Sequence, residues 1–154
     1  MELAVRAHAK ADPRAVFALL VDGTTWPTWT PIDSFRLERP GRDGGESLGA
    51  IRVFRTGRIK SREEIVELVP DRRLGYILLS GLPLKGYRAT VDLAPEGDGT
   101  AINWRSTFRP KVPGTGWIYR RALTRFIQRC VDGLAEHAAQ GERGATASER
   151  GVGA

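Results

Sequence analysis

Apolar and polar residues alternate from the first positions of the chain. Leu3, Val5 and Ala7 fall on one side and Glu2, Arg6 and His8 between them, which predicts a strand over residues 2–9 with one buried face. Asp12 and Pro13 then mark a helix start, because an aspartate side chain satisfies free N–H groups and proline at the first helical position has none to lose. Val16, Phe17, Leu19 and Leu20 give that short helix its apolar side, and Asp22 and Gly23 end it. The next stretch, TTWPTWTPID, is too irregular for a long helix and too aromatic for a solvated loop, so Trp26 and Trp29 are expected to plug the interior.

From residue 33 onward the pattern changes to strands, at about 33–39, 48–56, 58–69, 72–80, 85–94 and 99–109. The breaks between them are rich in Gly, Pro and Asp and short, so consecutive strands must pair antiparallel; a parallel pairing would need a crossover of a dozen or more residues. In the last strand Ile102, Trp104, Ser106 and Phe108 share the face expected inside, while Asn103, Arg105 and Thr107 share the other. After a Pro/Gly linker at 110–116, one long helix is predicted over about 115–140. Tyr119, Leu123, Phe126, Ile127, Cys130, Leu134 and Ala138 form its apolar stripe, and Arg121, Arg125 and Arg129 a basic ridge. Residues 141–154 lack periodicity and are expected to be a disordered tail behind a single domain spanning 1–140.

The expected fold is α+β: a curved seven-stranded antiparallel sheet wrapped around a long C-terminal helix, with two short helices after the first strand. Only that helix is long enough to cover the sheet. A sheet curled around a helix leaves a cavity at its wide end, lined by inner strand faces and the apolar stripe.

Composition narrows the function classes. No run of residues is apolar enough to span a membrane, and no signal-like N-terminal segment is apparent, so a cytoplasmic location is expected. Cys130 is the single cysteine and His8 and His137 are the only histidines, which leaves no spacing for a metal site; no cofactor is implied. Nucleophile-elbow and phosphate-loop motifs are absent, and GRDGG at 41–45 has no helix N-terminus behind it. The net charge of +6 is spread through turns, strands and the arginine ridge, without a recognition motif for DNA or a stacking face for RNA, so no nucleic-acid partner is expected.

Several stretches together resemble the START/Bet v 1-like superfamily, in particular its polyketide cyclase/dehydrase and lipid-transport group. They are Asp12-Pro13 with Val16-Phe17, and Asp22 followed by Trp26-Pro27, Trp29 and Pro31. Next come Glu64 and Glu67-Leu68-Val69-Pro70 leading to Arg73-Leu74, then Asp98-Gly99-Thr100 before Trp104, and the final amphipathic helix. The resemblance covers about residues 2–140 and implies a helix-grip fold that holds a ligand; it does not by itself fix a function.

The expected ligand is small and hydrophobic or aromatic, such as a polyketide, a lipid or an isoprenoid. Residues expected to line its cavity are Trp26 and Trp29, the strand positions Tyr76, Tyr87, Trp104, Ser106 and Phe108, and the helix positions Trp117, Tyr119, Leu123, Phe126, Ile127 and Cys130. An alternative is a polyketide cyclase or dehydratase using Glu64, Tyr76, Tyr87 or Arg105, and a second alternative is an adaptor that binds a partner through the arginine ridge. Glu63 and Glu67 are placed on one face of their strand and Glu64 on the other. An inward carboxylate would pair with an arginine such as Arg52 or Arg105, or keep a raised pKa.

Overall fold

The computed structural model describes the backbone of residues 1–152 and the side chains of residues 1–144. The chain runs β1 (Glu2–Ala9), α1 (Pro13–Leu20), a 3₁₀ turn (Gly23–Thr25), α2 (Trp26–Trp29), β2 (Ser34–Arg39), β3 (Ile51–Thr56), β4 (Ile59–Val69), β5 (Arg73–Ser80), β6 (Leu84–Glu96), β7 (Gly99–Pro110) and α3 (Gly116–Val152). Helix α3 continues past Gln140, and from residue 145 the expected tail lies outside the described side chains.

Local chemistry starts α1 as anticipated: the Asp12 carboxylate accepts from the Ala15 N–H at 3.0 Å, with Pro13 behind it. The seven strands form one antiparallel sheet in the order β1-β7-β6-β5-β4-β3-β2. The meander from β2 to β7 follows from its short turns, and β1 completes the sheet by pairing with β7 from Glu2↔Thr107 to Ala9↔Thr100. Residues 10–33 therefore carry the chain from one edge of the sheet to the other, and α1 and α2 lie on that path.

On β7, Ile102, Trp104, Ser106 and Phe108 are all buried, as the alternation requires. On α3 the buried residues Ile127, Cys130, Val131, Leu134 and Ala138 recur every three or four positions and pack mainly over β1 and β7. Gly133 interrupts this stripe for a steric reason: a Cβ there would land on the Trp29 carbonyl oxygen, so α3 and α2 approach only because that side chain is missing.

Strand β4 departs from strict alternation. Register shifts against β5 lie between Arg62 and Glu63 and between Ile65 and Glu67. The second inserts one extra residue, so Glu63 and Ile65 are buried inside, whereas Glu67, four residues after Glu63, turns outward to Arg73 and Arg88. The expectation that Glu63 and Glu67 share a face is corrected by this bulge.

Candidate functional site

Because α3 lies along β1 and β7, it leaves the inner faces of β3, β4 and β5 incompletely covered, and a cavity of about 60 Å³ remains between them. Its floor is aromatic. Trp26 stacks on Phe54 with ring centroids 4.6 Å apart and meets Trp104 edge-on at 5.9 Å, and Tyr76 meets Trp104 edge-on at 6.5 Å. Ile127 and Cys130 of α3 close one side. Toward the end of the sheet where β5 stops and α3 begins, the lining residues Thr56, Ser61, Leu78, Leu82, Leu123 and Phe126 are only half-buried, so that end is the mouth.

Glu63 lines the polar wall, and a buried ion cluster stands behind it. Arg52 and Glu63 face each other across the β3–β4 ladder, both pointing inward. The Arg52 guanidinium is fully buried and sandwiched by aromatic rings, 4.9 Å from the Trp26 centroid and 5.0 Å from that of Phe54. Its Nη1 donates to the Leu20 carbonyl at 2.9 Å and to Glu46 Oε1 at 3.3 Å. Glu46 also accepts from the Gly23 N–H, at 2.8 and 2.9 Å. Glu63 is less well served: its Oε1 lies 3.6 Å from Arg52 Nη2 and makes no hydrogen bond, and Arg52 Nε and Nη2 are likewise without one.

The electrostatics follow from that geometry. One cation faces two carboxylates, and burial raises the pKa of both. For Glu63 burial outweighs the pull of Arg52 and pushes the carboxyl up to about 7. Glu63 thus holds or releases a proton near neutrality at the edge of a cavity, and in its protonated form it offers an O–H donor. Tyr87 and Ser106 join hydroxyl to hydroxyl at 3.0 Å, and burial pushes the Tyr87 phenol up to about 12 and the Tyr76 phenol well above its usual range. The Trp104 indole Nε1 is buried without a hydrogen bond of good geometry. Burial also pushes the Cys130 thiol up to about 12, which makes it an inert wall rather than a nucleophile.

Among the residues expected to line the cavity, the structure brings together Trp26, Tyr76, Tyr87, Trp104, Leu123, Phe126, Ile127 and Cys130. Trp29, Ser106 and Phe108 are buried beside it: Trp29 donates to Thr25 Oγ1 at 3.0 Å, and Phe108 stacks on Tyr87 at 6.2 Å. Tyr119 packs part-buried against the core, and Trp117 is 63% exposed, too far out to touch a cavity ligand. Glu64 and Arg105 lie on the outer face of the sheet, Glu64 3.6 Å from Arg39 and Arg105 2.9 Å from Asp92, so neither reaches the cavity. Strand alternation is the cause in both cases, and for Arg105 it was legible, since Trp104 and Ser106 occupy the inner face.

The inward carboxylate is Glu63 rather than the candidate Glu64, with Arg52 as its partner. The 81–84 turn was expected at the mouth, and Leu82 lines the cavity there; other lining residues, including Ile32, Phe54 and Leu78, were not anticipated. Phe54 could have been found, because it shares a strand face with Arg52; Ile32 sits in a connection where no periodicity operates. Among the described residues no group of three His, Cys, Asp or Glu side chains could hold a metal ion, and no helix is long and apolar enough to cross a membrane.

The family model described as polyketide cyclase/dehydrase and lipid transport matches residues 1–139. The chain belongs to that family. No curated protein matches the sequence. Solved structures of the same fold include a START superfamily protein from Mycobacterium smegmatis (13% identity, TM-score 0.78, covering 90% of this chain and 97% of that one). The protein XoxI from Bacillus cereus is 19% identical with a TM-score of 0.72 over 92% of this chain and 97% of that one. Ara h 8.0201 is 15% identical with a TM-score of 0.74 over 91% and 98%. This member of the family thus has the START/Bet v 1 helix-grip fold, with the helix, aromatic floor and buried ion cluster described above.

Proposed function

We propose that the protein binds a small, mainly apolar molecule carrying one hydrogen-bonding oxygen, taken into the cavity between the sheet and α3. The observation that carries this reading is the asymmetry of the cavity: an aromatic floor beside one wall where Glu63 Oε1 and Trp104 Nε1 are buried without hydrogen bonds, with Arg52 Nη2 likewise unpaired behind Glu63. Buried polar atoms left unpaired cost roughly 1–3 kcal/mol each, so a ligand oxygen that reaches them recovers energy a hydrocarbon cannot. A cavity of about 60 Å³ has room for about two waters, whereas ligand pockets run to several hundred Å³, so loading requires Leu82, Leu123 and Phe126 at the mouth to move outward. Native mass spectrometry before and after organic extraction, followed by titration with matched pairs of aromatic or aliphatic ligands with and without a hydroxyl or carbonyl, tests this. Oxygenated members should bind at least tenfold more tightly. Absence of any retained or exchangeable ligand across the panel would overturn the reading.

A second reading is supported by Glu63 alone. A carboxyl poised near neutrality inside an apolar pocket suits proton transfer, as in a cyclase or dehydratase: it takes a proton from a carbon next to a carbonyl and returns it to the departing hydroxyl, leaving a double bond and water. Product profiles from a reactive poly-β-ketone should then change in Glu63→Gln and remain unchanged in Glu64→Gln. An unchanged profile in Glu63→Gln would sink it.

A further inference from the structure

Seven large hydrophobic side chains are exposed among the described residues, and six of them gather at one end of the molecule: Met1, Ile59, Leu79, Val112, Trp117 and Ile118. Antiparallel order explains the gathering, because β1, β4 and α3 begin at this end and β5 and β7 stop there. The connections are tied into one surface. Gly81 lies so close to the Lys60 backbone that a Cβ would not fit, the Lys111 N–H donates to the Pro83 carbonyl at 3.0 Å, and the Met1 thioether sits over Gly116. This is the same end at which the half-buried Leu82 and Leu123 rim the cavity.

The charges at this end lack ion-pair partners among the described residues. On the outer face of the sheet Arg62 is matched with Glu38, Arg73 with Glu67 and Asp92, and Arg105 with Asp92, whereas Arg6 and Arg36 there make no ion pair among those residues. At the mouth, Arg58, Lys60, Lys111, Arg120 and Arg121 are exposed, and among the described residues no carboxylate is within ion-pair distance of them. From Gly99 to Val131 the chain carries seven arginines and lysines and no acidic residue. On α3, Trp117 heads a row continued by Arg121, Arg125 and Arg129 at four-residue spacing, all exposed. Like charges in that row repel, and among the described residues no carboxylate makes an ion pair with them.

We infer that this end docks on an anionic lipid bilayer, with Val112, Trp117 and Ile118 entering the interfacial layer and the surrounding lysines and arginines held by lipid phosphates. Apolar side chains interleaved with unmatched cations complement such a surface on both counts. A second copy of this chain would complement the apolar groups and repel the charges. A nucleic acid would take the charges and leave Ile59, Val112 and Ile118 without partners, since Trp117 is the one exposed aromatic ring of the patch. Docking at this end sets the cavity mouth on the bilayer, and a hydrophobic ligand then passes between lipid and protein without crossing water.

Sedimentation of the full chain with phosphatidylcholine vesicles, with and without about one-third phosphatidylglycerol, tests the inference. Partition should require the anionic lipid and collapse in roughly 0.5 M salt, where charges are screened within about 4 Å. Arg120→Glu with Arg121→Glu should lower it at least ~25-fold, each lost cation being worth about fivefold at an anionic surface. Trp117→Ala should lower it roughly tenfold and abolish quenching of tryptophan emission by brominated lipid, because Trp26, Trp29 and Trp104 are buried. Circular dichroism on each exposed-site variant verifies the fold. Partition indifferent to Trp117, no partition into anionic vesicles at low salt, or tighter binding to duplex DNA than to vesicles would each overturn the inference. No cavity ligand is added, so failure here leaves the cavity reading standing.

Discussion

Raising the pH across neutrality should loosen this protein through one buried carboxyl. Glu63 titrates near 4.5 in the unfolded chain and near 7 in the native one, because burial in the cavity wall disfavours its charge more than Arg52 favours it. The native state therefore holds a proton that the unfolded state has lost between those two values. Stability is fully present below pH 4.5 and falls by about 1.4 kcal/mol per pH unit in the window, levelling off above 7. The full difference is about 3 kcal/mol, of which roughly 2–3 kcal/mol accrues between pH 5 and 8. Glu46, which faces the same guanidinium, is also raised by burial and acts with the same sign, so wild type alone would not isolate Glu63. Urea unfolding of wild type and Glu63→Gln from pH 5 to 8 separates them: the amide cannot ionise, and the stability gap should move in favour of the variant by that amount as pH rises. Parallel stability curves would refute the assignment of the proton to Glu63.

Arg52→Met should cost about 3–5 kcal/mol in chemical denaturation, because Glu46 and Glu63 lose the only buried cation between them; it should also move the pH window upward, and a loss below about 1 kcal/mol would contradict the cluster's role. Gly133→Ala should destabilise by at least ~2 kcal/mol despite alanine's better helix propensity, since its methyl meets the Trp29 carbonyl; a more stable variant would show that α2 and α3 can separate. Cys130 should resist iodoacetamide in the native protein, with only roughly 10⁻⁴ of the thiol ionised at pH 8, and label promptly in denaturant; rapid native labelling would mean the cavity opens widely by itself. Tyr87→Phe should leave Ser106 without its hydroxyl partner and cost roughly 1–2 kcal/mol, measured by the same unfolding assay, and no loss would indicate that another group takes its place.

Sequence alone determined the elements, because each rests on neighbours in the chain. Asp12-Pro13 starts α1, short polar turns force the antiparallel meander, and the spacing of Ile127, Cys130 and Leu134 marks the buried stripe of α3. Alternation likewise placed Trp104 inside and Arg105 outside. What it could not determine depends on contacts between distant segments. The bulge after Ile65 turns Glu67 outward, the register between β3 and β4 sets Glu63 against Arg52, and the path of residues 10–33 brings the Leu20 carbonyl and Trp26 onto the same guanidinium. The mouth patch belongs to this second group as well: Ile59, Leu79 and Trp117 are ordinary apolar residues in three separate patterns, and become one surface only because antiparallel strands bring their ends together. Periodicity records which face a residue prefers. Only tertiary packing decides which residues of other segments share that face, and the charge and chemistry of this site lie in that sharing.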